Sequence, residues 1–296
     1  MKEPISVALT HYNRPHMLLE AVRQVIGDPR VAEIVVSDDA SEIAAYETLV
    51  QICSPHPKVK LFRNERNLDC YANKAQVLRL ATLPWTILFD SDNILTPQYL
   101  DVLYALPKWD SSTFYCPDFA MPHFDYTMFA GKLIDAQNVS GLMGREVIGR
   151  VATRRGSITR YVLPAHHSRF RCALNTANYF VHRESYLEVW DGSVEPHTAD
   201  TIYHAYNWLR SGRNIYIVPG LRYEHRIHDQ SHYKLNVRKT GDFAKQVEDL
   251  LVALPNHPPY EPRNTKPPQP PGTRSQETPR APLRASLGPQ LAQRPG

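Results

Sequence analysis

The chain has 296 residues, 42% of them hydrophobic, which suffices for one large core or two small ones. The formal charge of +4 sits in the tail: across 253–296, Arg263, Lys266, Arg274, Arg280, Arg284 and Arg294 face only Glu261 and Glu277. The remaining body is near neutral, which excludes a nucleic-acid footprint spread over the fold.

No apolar run approaches the roughly 18–20 residues of a membrane span, and the opening "MKEPISVALTHYNRP" has no basic segment followed by an apolar core. A cytoplasmic protein is expected. Cys53, Cys70, Cys116 and Cys172 are widely spaced without a C-x-x-C pair, so reduced thiols are expected rather than a disulfide framework or thiolate metal site.

In chain order, "ISVALT" (5–10) predicts a strand ending at His11 and Tyr12. "RPHMLLEAVRQVIGD" then predicts a helix, with Pro15 at its start and Met17, Leu18, Ala21, Val22 and Val25 at three- and four-residue spacings. "AEIVVSDDAS" (32–41) predicts the second strand and 42–53 a helix. "VKLFRN" (59–64) predicts the third strand and 70–82 a helix. "WTILFD" is the fourth strand. Alternating strands and helices imply parallel pairing through right-handed crossovers, an open α/β sheet covered on both faces.

Ligands bind such sheets beyond the carboxyl ends of the strands. There the sequence places "THYN", Asp38-Asp39, Asn64 and Asp90-Ser91-Asp92. Taken singly, Asp39 or Ser41 could equally cap the helix that follows. Four coincident polar strand ends favour a site. Asp90 and Asp92, one residue apart after a buried strand, can both reach one hard cation of the Mg²⁺ or Mn²⁺ kind, which offsets the cost of two adjacent like charges.

The order "VALTHYNRP", "IVVSDDAS", "NERNLDCYANKAQVLRLA", "ILFDSDN" resembles the family 2 glycosyltransferases of the GT-A fold, strongly over 5–93 and more loosely over 172–235. The resemblance implies a nucleotide-sugar site formed by Thr10, Tyr12, Asn13, Arg14, Asp38, Asp39, Asn67, Lys74, Asp90 and Ser91. Asp39 would contact base or ribose, Lys74 would occupy the basic position of the third helix, and Asp90 and Asp92 would hold ribose and metal. Two positions depart from the family pattern: Asp69 replaces the usual glycine after Asn67, and Asn93 the usual third acid.

Further on, 98–106 predicts a helix and 112–120 a strand. The Arg-rich stretch around Arg145, Arg150, Arg154, Arg155 and Arg160 predicts a solvated loop, or alternatively a lid or acceptor loop that meets phosphate. "YFVHR" predicts a strand, the segment with Ile202, Ala205, Tyr206 and Leu209 a helix capped by Gly212, and "NIYIVP" a strand.

By the resemblance, Asp200 at that helix's first turn is the catalytic base, with Glu195 as the competing acid. The helix dipole alone would also favour a carboxylate there. His225, His228 and His232 match no closed zinc pattern. In the resemblance one histidine of this position joins the D-x-D acids on the cation, His228 first and His225 second.

The expected organisation is a nucleotide-sugar-binding half (1–93), an acceptor and catalytic half of the same domain (94–254), and a Pro-rich, disordered tail (255–296) that offers a peripheral membrane or protein contact. The expected activity is inverting transfer from a nucleotide-sugar, with UDP favoured, to a glycan, lipid-linked or other hydroxyl acceptor, using Mn²⁺ or Mg²⁺. A sugar-nucleotidyltransferase would need a Gly-rich phosphate loop, and "THYNRP" has no glycine. A silent nucleotide-sugar-binding or assembly protein would not need Asp90, Asp92 and Asp200 together.

Overall fold

The computed structural model describes residues 2–143, 148–152, 158–162, 170–171, 173–174, 178–228 and 232–257, all within one unit, Met1–Pro262. Among the described residues eleven strands run β1 (Ile5–His11), β2 (Val31–Asp38), β3 (Val59–Arg63), β4 (Trp85–Asp90), β5 (Thr113–Met121), β6 (Phe124–Asp125), β7 (Leu133–Ile134), β8 (Ile148–Ala152), β9 (Ile158–Val162), β10 (Tyr179–His182) and β11 (Asn214–Glu224). The helices are α1 (Pro15–Val22), α2 (Ile43–Cys53), α3 (Asp69–Leu80), α4 (Pro97–Ala105), α5 (Val139–Met143), α6 (Arg183–Glu188), α7 (Asp200–Arg210) and α8 (His232–Ala253). The elements expected up to residue 120 and after 178 are present, with ends displaced by a few residues at most except at α1, which stops at Val22, and β11, which runs on to Glu224.

The main sheet has the order β3-β2-β1-β4-β10-β5-β11-β7, with β6 on β5. β1 to β4 are parallel, as alternating strands and crossover helices demand. β10 enters antiparallel between β4 and β5, and β11 then runs parallel to β5. The sheet is therefore mostly parallel with one reversed strand at its middle. β1, β2 and β4 are buried on both faces almost throughout, and Ile5, Val7, Leu9, Ile34, Val36, Ile87 and Phe89 are shut off from solvent, while the edge strand β3 alternates half-buried and exposed positions.

This topology decides where the polar strand ends meet. The chain leaves β1 for β2 and β3 on one side and returns to β4 on the other, so a crevice opens at the carboxyl edge between β1 and β4. Because β10 is reversed, its amino end lies at that same edge and brings Asn178 to Asp90. The end of β11 brings residues 225–228 there as well.

Helix α7 is buried on all sides from Asp200 to Leu209. Phe114 stacks on its Trp208 at 4.0 Å, and Tyr186 lies on its His204 at 3.6 Å between ring centres. Helix α8 packs on the turn His197–Ala199 and on α5 and α7. The first turn of α7 is thus fixed from several sides. Sequence patterning gave no element for 232–253, where Lys, Arg, Thr and Gly interrupt the apolar period.

The Arg-rich stretch is not the open loop expected of it: β8 and β9 pair as an antiparallel hairpin with Arg150 opposite Arg160. Ile148, Val151, Ile158, Thr159, Tyr161 and Val162 are good strand formers, which outweighs the charges between them. Arg145, Arg154, Arg155, Cys172, Asn175 and the tail from residue 258 lie outside the described residues. Among the described residues no helix is long and apolar enough to cross a membrane.

Candidate active site

At the end of β1 the backbone turns through Asn13, whose φ is 55°. Asn13 then joins two loops: its N–H donates to Ser41 Oγ at 2.8 Å and its side-chain oxygen accepts from Glu42 N at 2.8 Å. Thr10 pairs in register with Ser37 on one side and Asp90 on the other. Tyr12 stands 44% exposed at the rim, open to a ring-sized ligand.

Neither Asp39 nor Ser41 caps α2, whose N-cap is Glu42 without a side-chain bond. Ser41 instead bonds Asp38, at 2.5 Å. Asp39 accepts from Asn64 Nδ2 at 3.0 Å and from Leu68 N at 2.8 Å. Burial pushes the Asp39 carboxyl up to about 6, against those two hydrogen bonds. Burial raises Asp38 too.

A carboxylate held this far above its ordinary range costs the fold stability. Below about pH 4 Asp39 is protonated in folded and unfolded chains alike. Between about 4 and 6 the folded form keeps a proton that the unfolded chain releases, so its contribution falls as pH rises. Asp39→Asn keeps the accepting oxygen. It should therefore match wild type in thermal melts near pH 4 and exceed it by roughly 2–3 kcal/mol above pH 6. Equal melting curves at pH 7.5 would contradict this.

Asn67 is exposed, and its side chain accepts from Asp69 N at 2.9 Å. It belongs to the loop before α3 and not to the polar cluster. The buried amides beside Asp39 are Asn64 and Asn73, with Ser37 Oγ 2.6 Å from Asn73 Oδ1 and Asn64 Nδ2 3.0 Å from the same atom. Asp69, where the family pattern has glycine, takes a left-handed backbone with φ 64°, a conformation that favours glycine. Its carboxylate lies 3.6 Å from His197, which also faces Glu195 at 3.8 Å.

Lys74, on α3, is the hinge of the site. Its Nζ donates to Asp200 Oδ2 at 2.7 Å and lies 3.8 Å from Asp90 Oδ1. Three residues from distant parts of the sequence thus meet. Burial alone would discharge this lysine, but the two carboxylates hold its pKa above the ordinary value. Asp200 is buried at its helix start, whereas the Glu195 side chain is 70% exposed. Only Asp200, of the two acids, shares a cation with Asp90.

Asp90 hangs from a backbone N–H that donates to Asn178 Oδ1 at 2.9 Å, and Tyr99 donates to the Asn178 carbonyl at 2.7 Å. Its surroundings push the carboxyl up to about 6, burial first and then its acidic neighbours, despite Lys74. Ser91 Oγ lies 3.3 Å from His11 Nδ1, and burial drives His11 down to about 4, so that ring is neutral at working pH.

Arg226 clamps the loop from behind. Its guanidinium donates to the backbone oxygens of Met17 and Asp92 and pairs with Glu20. Arg226 N also donates to Asn93 Oδ1 at 3.2 Å, a structural use for the residue that replaces a third acid.

Asp92 points the other way from Asp90's partners. Its Oδ2 lies 3.0 Å from His228 Nε2 and 2.9 Å from Arg14 Nη1. Burial works against its charge, yet His228 and Arg14 outweigh it and keep the carboxyl below the ordinary range. The 3.0 Å between oxygen and imidazole nitrogen is about the spacing of neighbouring ligands in an octahedron of ~2.1 Å bonds. Asp92 and His228 are thus spaced as two ligands of a Mn²⁺- or Mg²⁺-sized cation would be, whereas Asp90 Oδ1 faces Lys74; among the described residues the group of three candidate ligand atoms within reach of one another is Asp69, Glu195 and His197. His225 is turned elsewhere: its ring meets Phe124 edge-on at 5.0 Å, and its Nδ1 is buried without a hydrogen-bond partner.

Four acids, a lysine and a histidine so gathered at the carboxyl edge of a GT-A-like sheet can be compared with known proteins. Residues 6–123 match the model of Glycosyl transferase family 2. Over these residues the chain is similar to family 2. Cholesterol galactosyltransferase of Borreliella burgdorferi is 27% identical over 122 residues, 40% of this chain and 33% of that protein, so the match spans about a third of the curated relative's length. Among solved structures, the mannosyltransferase PcManGT from Pyrobaculum calidifontis, in complex with GDP-Man and Mn²⁺, aligns with 86% of this chain and 70% of its own. The TM-score is 0.52 at 13% identity, a likeness of fold. GalNAc-T7 with UDP, GalNAc and Mn²⁺ aligns with 77% of this chain and 44% of its own, with TM-score 0.48 and 18% identity.

The sequence did not single out Asn73 or the clamping role of Arg226. Asn73 shares α3 with Lys74 one position away, and a polar residue beside a buried lysine was the available signal. For Arg226 the signal was its place between the two candidate histidines.

Proposed function

We propose that this chain is a metal-dependent glycosyltransferase of the family 2 kind that moves a sugar, with inversion, from a nucleoside-diphosphate donor to a hydroxyl acceptor. The observation that carries the proposal is the meeting of Asp90, Lys74 and Asp200 within 3.8 Å, beside the Asp92–His228 pair. Leaving-group neutralisation and a base are thereby set on opposite sides of one lysine.

In this reading the nucleoside lies along Thr10, Tyr12, Asn13, Asp38 and Asp39, with Asp90 and Ser91 at the ribose. Asp92, His228 and Asp90 would hold the cation, whose chemistry is to stabilise negative charge on the departing diphosphate. The acceptor hydroxyl attacks the anomeric carbon from the face opposite the diphosphate. Its proton passes to Asp200 as the carbon–oxygen bond forms and the bond to the diphosphate breaks.

Lys74 links the two ends of that event. Lys74 holds Asp200 at 2.7 Å and lies 3.8 Å from Asp90, and an incoming diphosphate competes for the same ammonium. The family resemblance favours uridine as the base and a glycan or lipid-linked hydroxyl as acceptor.

A thermal-shift panel of UDP and GDP with Mn²⁺, Mg²⁺ or chelator tests donor binding. At about 100 times Kd a ligand adds ~2.7 kcal/mol, a rise of a few degrees. The rise should appear with UDP and a divalent cation and vanish in chelator. An equal rise in chelator would count against the cation site, and a rise with GDP alone would replace uridine with guanosine.

The tail is expected to stand apart from this chemistry. Twelve of the chain's 25 prolines lie beyond residue 254, with few apolar residues to pack. Removing 258–296 should leave the melting temperature within a degree or two and donor hydrolysis unchanged, while attachment to anionic vesicles or a protein partner is lost. A large fall in melting temperature would show that the tail packs on the fold.

A further inference from the structure

Helix α3 holds the start of α7 through more than Lys74. Three residues before Lys74, on the same face of α3, the Tyr71 hydroxyl lies 3.2 Å from Nδ1 of His204. His204 follows Asp200 by four residues on α7, so Lys74–Asp200 and Tyr71–His204 form successive rungs between the same two helices. Cys70 Sγ also donates to the carbonyl of His197, in the turn just before Asp200, at 3.0 Å.

The second rung is rigid where the first is not. Tyr71 and His204 are both buried, and the imidazole lies flat on Tyr186 with ring centres 3.6 Å and planes 11° apart. Phe114 runs nearly parallel to it at 5.6 Å. A lysine ammonium ends a flexible four-carbon stem and can follow a carboxylate that moves. Two rings packed into a core cannot.

The rung is also uncharged. Burial, with the positive charge of Lys74 added to it, drives His204 well below its ordinary pKa and keeps the imidazole neutral. Asp191 N donates to the Tyr71 oxygen at 3.3 Å, which leaves the phenol hydrogen for Nδ1 and puts the ring proton on Nε2. Among the described residues Nε2 is buried without a hydrogen-bond partner. A phenylalanine would fill this aromatic stack without an unpaired nitrogen, so stability alone does not account for the imidazole.

We infer that Tyr71 and His204 are positioning residues that keep Asp200 in place when the donor's diphosphate draws on Lys74. The inference rests on Asp200 as the base. Lys74 lies within 3.8 Å of Asp90 as well as bonding Asp200, so a diphosphate at that edge loosens the charged tether at the moment the base is needed. The neutral rung one turn along α7 meets no such competition. A displacement of the base by about 1 Å is enough to lose on the order of 10²-fold in rate, so a smaller slip of α7 on α3 is felt in kcat.

Tyr71→Phe, His204→Phe and the double variant are compared with wild type in thermal melts and transfer kinetics, and Tyr71→Phe is repeated on Asp200→Asn. Each single change leaves a buried polar atom unpaired. The double change replaces both partners with apolar rings of similar shape and should melt within about two degrees of wild type. Its kcat should nevertheless be about tenfold lower, as in each single variant, with donor KM within about twofold. On Asp200→Asn, where no base remains to be placed, Tyr71→Phe should change the residual rate by less than about twofold. Rates are read well below each melting transition, so loss of folded protein does not enter kcat.

Wild-type kcat in the double variant would make the contact merely structural and overturn the inference, even if both single variants were slow. A tenfold loss that persists at full size on Asp200→Asn, or one carried by donor KM, would overturn it too. Tyr71→Phe removes a single oxygen and carries the Asp200→Asn comparison by itself should His204→Phe fail to fold. Asp200→Asn transferring sugar at the wild-type rate would instead remove the base, a result read without any Tyr71 variant.

Discussion

Asp200→Asn should lose on the order of 10²-fold or more in sugar transfer while binding donor and cation like wild type. The substitution is nearly isosteric, and the amide oxygen can still accept from Lys74 Nζ, which lies 2.7 Å from Asp200 Oδ2 in the native protein. What disappears is the basicity. An amide cannot take the proton that the acceptor hydroxyl must lose.

The variant leaves Lys74 with Asp90 at 3.8 Å as its remaining carboxylate, so some loss of stability is expected from the weakened buried pair. Melting curves separate that loss from the kinetic effect. Glu195→Gln is the matched control: Glu195 is exposed and, among the described residues, pairs with His197. Transfer at the wild-type rate by Asp200→Asn together with collapse in Glu195→Gln would exchange their roles.

The second large effect is expected at Asp92. Asp92→Ala should abolish measurable turnover, a loss on the order of 10³-fold or more, because a cation's stabilisation of the leaving group amounts to several kcal/mol. The fold should survive. Arg226 holds the loop through backbone oxygens of Met17 and Asp92, and β4 is anchored by Asn178, none of which needs the Asp92 side chain. Circular dichroism and the melting transition check this, with Asp92→Asn as the variant that best preserves shape. Full activity of Asp92→Ala in chelator would end the role assigned to the cation.

Much of the first half was legible because β1, β2 and β4 are buried on both faces and read as unbroken apolar runs. "ISVAL", "EIVV" and "TILF" could be little else. The site was legible where side chains leave the ends of those strands, hence Asp38, Asp39, Asp90 and Asp92. It was less so where tertiary packing decides.

His225 and His228 look alike in sequence. Only the course of the chain after β11 turns one toward Asp92 and the other against Phe124. Asn67 carries the family signature, yet its side chain serves the local turn, and Asn64 and Asn73 occupy the buried positions near Asp39. The reversed β10 has a short apolar segment indistinguishable from a parallel strand. Its direction comes from pairing with β4 and β5, and that direction delivers Asn178 to Asp90.

The Arg-rich segment misled in a different way. Charge density suggested a solvated loop, while the β-branched and aromatic residues in β8 and β9 carried the stronger backbone preference. Helix α8 lacked a clean period because its apolar contacts, Val247 and Leu251 among them, are spread over a long charged segment.

The most direct test of the central claim is the product formed from a nucleotide-sugar. Incubating the protein with UDP- and GDP-sugars in Mn²⁺ or chelator, and resolving nucleoside diphosphate, nucleoside monophosphate and sugar phosphate, reads which bond breaks. The account predicts slow, cation-dependent release of nucleoside diphosphate, accelerated by acceptor and suppressed in Asp200→Asn. Release of sugar 1-phosphate, or cation-independent binding with no bond broken, would contradict it.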